Sequence, residues 1–283
     1  MSRPIAGWVE EVHFFKKQRH NADNANNSTV QFFHGMMKRI AREIHRAPGI
    51  FKIEASIMSQ SSILDMCTTP GGLLEIERGY NPTSRAGGGH NVRLLEDPNV
   101  KLHLVDIAML AADMGVADIP TEHPDAGNFL PRHVTPDQTR HLIICGGQVL
   151  GTHERVPYHE SREARRLIVS QLSLGLEHLK PGGSIIVLLH KVEAWDTVQL
   201  LYTVNKSSSI QLFKPLTSHT KRSSFYMVTR NVGSHHLEAI LAIARWKDAC
   251  NSKIIRSQAH KTVLHIQAKA SAKAPLIKAG LAN

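Results

Sequence analysis

The run Ile63-Leu64-Asp65-Met66-Cys67-Thr68-Thr69-Pro70-Gly71-Gly72 constrains the fold more than any other part of the chain. An apolar stretch ends in an acid, passes through a turn of small residues, and meets Pro-Gly-Gly at the start of a helix. In a parallel α/β sheet this is how a strand delivers its carboxyl end to a crevice. The glycines let the backbone come close to a nucleotide-sized ligand. The dinucleotide fingerprint GxGxxG is absent, and so is the phosphate loop GxxxxGK followed by Ser or Thr. A nicotinamide oxidoreductase is therefore disfavoured. An ordinary strand–turn–helix with a glycine-rich turn accounts for the same residues without a ligand.

The rest of the chain supplies a sheet for that strand. Strands are expected at 63–65, at 100–105 ending in Asp106, at 141–145 running into Gly146-Gly147, and at 185–189. Between them lie helical patterns at 71–78, at 162–179 and at 194–207. The long helix carries Leu167, Ile168, Leu172, Leu176 and Leu179 on its apolar stripe, and Lys180-Pro181-Gly182-Gly183 reads as the turn that ends it. Two short strands, 210–213 and 225–229, are joined by a basic loop. Alternation of this kind implies a parallel sheet with crossover helices. Ahead of it, residues 8–20 read as a helix. A second helix, capped by Ser28 or Thr29 and ended by Pro48-Gly49, carries Phe32, Phe33, Met36, Met37, Ile40 and Ile44 at helical spacing. The organisation is thus a basic helical region at 1–50, an α/β domain at 51–232, and at 233–283 a helix (237–246) followed by a basic tail.

The chain has 34 Lys and Arg against 24 Asp and Glu, a formal charge of +10, which favours a polyanionic partner through counterion release. The basic residues cluster on the second helix (Lys38, Arg39, Arg42, Arg46) and in the loop carrying Lys214, Lys221 and Arg222. Nucleic-acid contact and a plain solvated face account for these clusters equally well. Cys67, Cys145 and Cys250 form no pair with metal-ligand spacing, so no metal site is expected and buried thiols suit a reducing compartment. No apolar stretch approaches the ~20 residues of a membrane span, and Met1 to Glu11 lacks the order of a signal peptide. The expectation is a soluble intracellular protein, nuclear or cytoplasmic, with no membrane partner.

Asp65-Met66-Cys67-Thr68-Thr69-Pro70-Gly71-Gly72 resembles the AdoMet loop of FtsJ-type RNA ribose 2′-O-methyltransferases, whose usual form is Asp-Leu-(Gly/Cys)-x-x-Pro-Gly-Gly. Other segments follow in the same order. Ile143-Ile144-Cys145-Gly146-Gly147 falls where that family shows a Cys-Asp-Gly segment. Leu179-Lys180-Pro181-Gly182-Gly183 with its apolar strand is similar to a segment shared by AdoMet-dependent methyltransferases. Phe213-Lys214-Pro215, then Lys221-Arg222-Ser223-Ser224-Phe225-Tyr226, looks like the family's last hairpin. The resemblance spans roughly residues 30–230. It implies a Rossmann-like, mostly parallel methyltransferase sheet with an antiparallel last hairpin and N-terminal helices. It implies S-adenosyl-L-methionine as cofactor and RNA as partner, with Arg39, Arg42, Lys214, Lys221 and Arg222 as RNA contacts. Asp65, Cys67, Pro70, Gly71 and Gly72 would line the methionine side and Asp106 the adenine edge, where a carboxylate can accept from an exocyclic amine. Asp106 also suits a simple helix cap.

The chemistry of that family is assigned to a Lys-Asp-Lys-Glu set, which helps turn a ribose hydroxyl of high pKa into a nucleophile. Here the first Lys corresponds to Lys38. The Asp position falls on Gly146, the second Lys on Leu188, and the Glu on Ser224 or Phe225. His190 has the strand parity of Leu188, and Lys191 and Glu193 follow it. His190 and Lys191 are therefore candidate catalytic replacements, although the same residues can simply end a strand and start a helix. The segment Asn81–His90, with three consecutive glycines, stands where another strand is due and reads as shortened. Two functions follow: an RNA 2′-O-methyltransferase with altered or weakened catalysis, and a catalytically inactive methyltransferase-fold RNA-binding or scaffold protein.

Overall fold

A computed structural model describes residues 27–46, 62–66, 107–116, 119, 121, 126–135, 137–147, 163–218, 220 and 222–251. In chain order the elements are helix α1 (Asn27–Arg46), β1 (Ile63–Met66), a 3₁₀ turn (Ile107–Met109), β2 (Arg140–Cys145), α2 (Glu163–Glu177), β3 (Leu179–His190), α3 (Trp195–Asn205), β4 (Ser209–Phe213) and β5 (Ser224–Val232), then α4 at 237–251. The expected helices at 8–20 and 71–78, the strand at 100–106, the glycine run near 81–90 and the tail beyond 251 lie outside the described residues.

The strands form one five-stranded mixed sheet in the order β1-β2-β3-β5-β4. β1, β2 and β3 run parallel, with Asp65 opposite Ile144 and Ile144 opposite Ile186. β5 is antiparallel to both β3 and β4, so the last two strands make an antiparallel pair. Both faces of the central strands are covered, and β2 and β3 accordingly carry continuous apolar runs, whereas the edge strand β4 stays largely exposed. On one face Leu142, Ile144, Ile186, Leu188, Tyr226 and Val228 pack against Ile40, Ala41 and Ile44 of α1. On the other, Ile143, Cys145, Ile185, Val187, Leu189 and Met227 pack with Leu172, Leu174 and Leu176 of α2 and with the 107–114 segment.

Three features differ from the sequence expectation. α1 begins at Asn27, so Ser28 and Thr29 lie in its first turn instead of capping it. α2 ends at Glu177 and Leu179 already belongs to β3, together with the Lys-Pro-Gly-Gly expected to be a turn. The glycines make this possible. Gly182 sits at φ 81°, and a Cβ on Gly183 would stand 2.8 Å from the Lys180 carbonyl oxygen and 2.9 Å from that of His141. A strand can run past β2 that closely only without a side chain. The register shift that follows is closed by Thr229, whose hydroxyl oxygen accepts the Ile185 amide at 2.9 Å. The third difference is in α1, where Phe32 is 60% exposed and Met37, Ile40, Ala41 and Ile44 form the inward stripe. Phe32 lies most of a quarter turn off that stripe, whereas Phe33 is in line with it. Among the described residues no helix is long and apolar enough to cross a membrane.

Candidate functional site at the carboxyl edge of the sheet

Parallel strands bring their carboxyl ends to one edge. Here that edge carries Asp65 and Met66 of β1, Cys145 at the end of β2 with Gly146-Gly147 after it, and His190 at the end of β3 with Lys191 after it. Because β5 runs the other way, its start, Arg222-Ser223-Ser224, joins the same edge, as does Lys214 at the end of β4. The turn after β2 is fixed from two sides. The Gly146 amide donates to the Met66 carbonyl at 3.3 Å, and the Gly147 amide donates to Oε1 of buried Gln171 at 3.0 Å. Gln171 Nε2 in turn donates to the Leu167 carbonyl at 3.1 Å. Gln171 was not legible as a site residue, since a polar side chain in mid-helix ordinarily faces water.

By strand parity Asp65, Leu188, His190, Ser224 and Tyr226 share the α1 face. The Tyr226 phenol is fully buried, and burial pushes its pKa far up. The Asp65 carboxylate adds to that, and Arg222 opposes it. Asp65 and Arg222 therefore both lie within electrostatic reach of Tyr226, and Asp65 comes from a distant part of the chain. His190 feels Arg222 as well. Desolvation first, and then that guanidinium, holds its imidazole below the ordinary histidine value and so favours the neutral ring.

The turn out of β3 is unusual. Lys191 has φ 51°, a left-handed conformation uncommon for a residue with a side chain. It is held there by its amide, which donates to the Ser223 carbonyl at 3.0 Å, and by its carbonyl, which accepts from Ala194 at 2.9 Å. The Thr197 hydroxyl donates to the His190 carbonyl at 3.1 Å. Lys214 Nζ donates to the Arg222 carbonyl at 2.7 Å, tying the end of β4 to the start of β5.

The structure thus brings Asp65, His190, Lys191, Lys214 and Arg222 to one edge, with Lys38 half-buried on the helix that covers the α1 face and Arg39 and Arg42 exposed on it. Cys67, Pro70, Gly71, Gly72, Asp106 and Lys221 lie outside the described residues. At the positions of the Lys-Asp-Lys-Glu set, Gly146 offers only backbone, and Leu188 is 8% exposed inside the apolar cluster with Ile40, Ile44 and Tyr226. Ser224, buried opposite His190, offers a hydroxyl where a carboxylate is expected. Among the described residues no group of three or more His, Cys, Asp or Glu is placed to hold a metal ion. No protein-family model matches the chain, and no curated protein matches it.

Proposed function

We propose that the chain is an S-adenosyl-L-methionine-binding protein of the RNA ribose 2′-O-methyltransferase type. The observation that carries this is the sheet: parallel strands ending at one edge, closed by an antiparallel last pair, with Asp65 at the carboxyl end of β1. That arrangement supports the Rossmann-like methyltransferase sheet, in which ligands lie outside the carboxyl ends of the strands. Half-buried Asp65 suits a cationic ligand, because its carboxylate can accept hydrogen bonds from the amino group of the methionine portion. The cofactor, when bound, supplies an electrophilic methyl group. On the protein's side, neutral His190 is a group at this edge able to take a proton from a hydroxyl, and Arg222 and Lys191 favour the anion so formed.

One observation favours a second reading, a non-catalytic RNA-binding protein on the same fold. Leu188, at the position of the family's second lysine, is packed into the α1-side core and can neither ionise nor orient a hydroxyl. Isothermal titration with S-adenosyl-L-methionine, followed by tritiated-methyl transfer to total RNA, separates the readings. Binding with transfer that is lost in His190→Ala supports the enzyme. Binding without transfer supports the second reading. No binding to the parent chain overturns the cofactor-dependent reading and leaves the non-catalytic RNA-binding one. Asp65→Ala should weaken the cofactor by about 1.5–3 kcal/mol, the contribution of a hydrogen bond to a charged group.

A further inference from the structure

α1 and the loop after β4 are 173 residues apart at Glu43 and Leu216, yet one side chain joins them. Glu43 accepts hydrogen bonds from the Leu216 amide at 2.8 Å and the Thr217 amide at 3.3 Å, and also from the Thr217 hydroxyl. It is the one acid on a helix that also carries Lys38, Arg39, Arg42 and Arg46. Residues 39, 43 and 46 share a face of α1, and Phe32 lies one further heptad back along it. Arg39 folds back along that face, its guanidinium within 3.7 Å of the position a Cβ on Gly35 would occupy. The stripe is therefore an exposed aromatic ring followed by two exposed cations, and it runs to the loop held by Glu43. That loop continues to Lys214, whose ammonium holds the Arg222 carbonyl, and the Ser223 carbonyl after it holds the strained Lys191 turn. Among the described residues the acids near this end are Glu43, which holds the loop, Asp65, Asp196, which is paired with Arg165 at 2.9 Å, and exposed Glu193.

We infer that Phe32, Arg39 and Arg46 on α1, with Lys214, Arg222 and Lys191 at the carboxyl edge, form one continuous track for the phosphate backbone of single-stranded RNA, in which Phe32 stacks on an unpaired base. The inference rests on the reading of RNA as partner and names the class of RNA. Cations spaced along a surface follow a phosphate chain, and an exposed ring offers a stacking face. A base inside a duplex has no free face to stack on, so the ring selects single strands. The strained Lys191 turn is accounted for by the same track, since it presents a cation at the strand end next to Arg222.

The test is fluorescence anisotropy of the full chain with a short labelled oligouridine and with a duplex RNA of equal length, across a salt series. Phe32→Ala should weaken oligouridine about tenfold and leave the duplex unchanged, while Phe32→Tyr, which keeps the ring, restores parental affinity. Arg39→Ala and Lys214→Ala should each weaken both RNAs and lower the salt dependence by about one phosphate contact. One oligonucleotide should bind per chain. If the parent binds RNA but Phe32→Ala, Arg39→Ala and Lys214→Ala bind as it does, the track is overturned and the RNA reading stands. Two RNAs titrating independently on one chain would also overturn it. A parent chain that binds no RNA at low salt overturns the track and the RNA reading together.

Discussion

The two edges of the sheet each hold a histidine beside a cation, and they use it differently. At the amino edge His141 Nδ1 lies 3.1 Å from the Ser62 amide and 3.2 Å from its hydroxyl, with Lys180 Nζ 3.2 Å from Nε2. A backbone amide can only donate, so Nδ1 carries the lone pair and staples the start of β1 to β2, while Nε2 of the neutral ring bears the proton and the Lys180 ammonium beside it is a like-signed neighbour, not a hydrogen-bond partner. Desolvation and then Lys180 hold its pKa below the ordinary value. At the carboxyl edge His190 is likewise held neutral, by desolvation and Arg222, but there the backbone is pinned and the residue is exposed. The difference teaches that a histidine beside a cation fixes register at the amino edge of the sheet and ends a strand exposed at the carboxyl edge.

The comparison breaks most readily at the amino edge. Gly183→Val should cost about 3 kcal/mol or more, because its Cβ would sit against two carbonyl oxygens in a layer with no room to shift. A urea titration checks this, and a variant as stable as its parent would mean that β2 and β3 do not approach so closely there. At the carboxyl edge the opposite sign is expected. Lys191→Gly should stabilise the fold by about 1 kcal/mol by relieving the left-handed strain, while weakening RNA. If it destabilises instead, the strained turn is not a functional compromise.

The smallest effect is in pH. His141, His178 and His190 all have lowered folded pKa values. Below about pH 6.5 the unfolded chain takes up protons that the folded chain refuses, so stability should fall as pH drops from there toward the folded values. His141→Gln, which keeps an acceptor for Ser62, should flatten that slope in denaturant titrations at pH 7 and pH 5. His190→Gln should flatten it as well but leave the β1–β2 junction untouched.

Much of the sheet was legible because its central strands are buried on both faces. Runs such as Leu142–Cys145 and Ile185–Leu189 have few other uses in a chain of this length. Lys180-Pro181-Gly182-Gly183 was misread for a good physical reason. Glycine and proline break elements when local preference decides, and here a tertiary approach to His141 decides instead. At the site, Asp65, His190, Lys191 and Arg222 could be picked out as polar residues flanking apolar runs. Their mutual approach depends on strand order and register, which no local pattern encodes. Glu43 carried a readable hint as the lone acid on a basic helix, but its partner lies at Leu216 and Thr217. Tyr226 gave none, since a tyrosine in an apolar strand is ordinary.

The way β1 is attached also sets an order of assembly. Among the described residues it is four residues long and pairs with β2 alone, across a separation of 79 residues at the Ser62–His141 staple. β4 and β5 are joined by a short connection and pair with little chain to close. Loop-closure entropy then favours the β4–β5 pair and its docking on β3 first, with β1 arriving last. The strand that carries Asp65 is thus the last to be secured and should be the first to open. Native-state hydrogen exchange should find the amides of Ile186 and Val228 slowest and those of β1 among the fastest in the sheet. A ligand bound at Asp65 would then be read as slowed exchange in β1, alongside the rise in melting temperature that any native-state ligand brings.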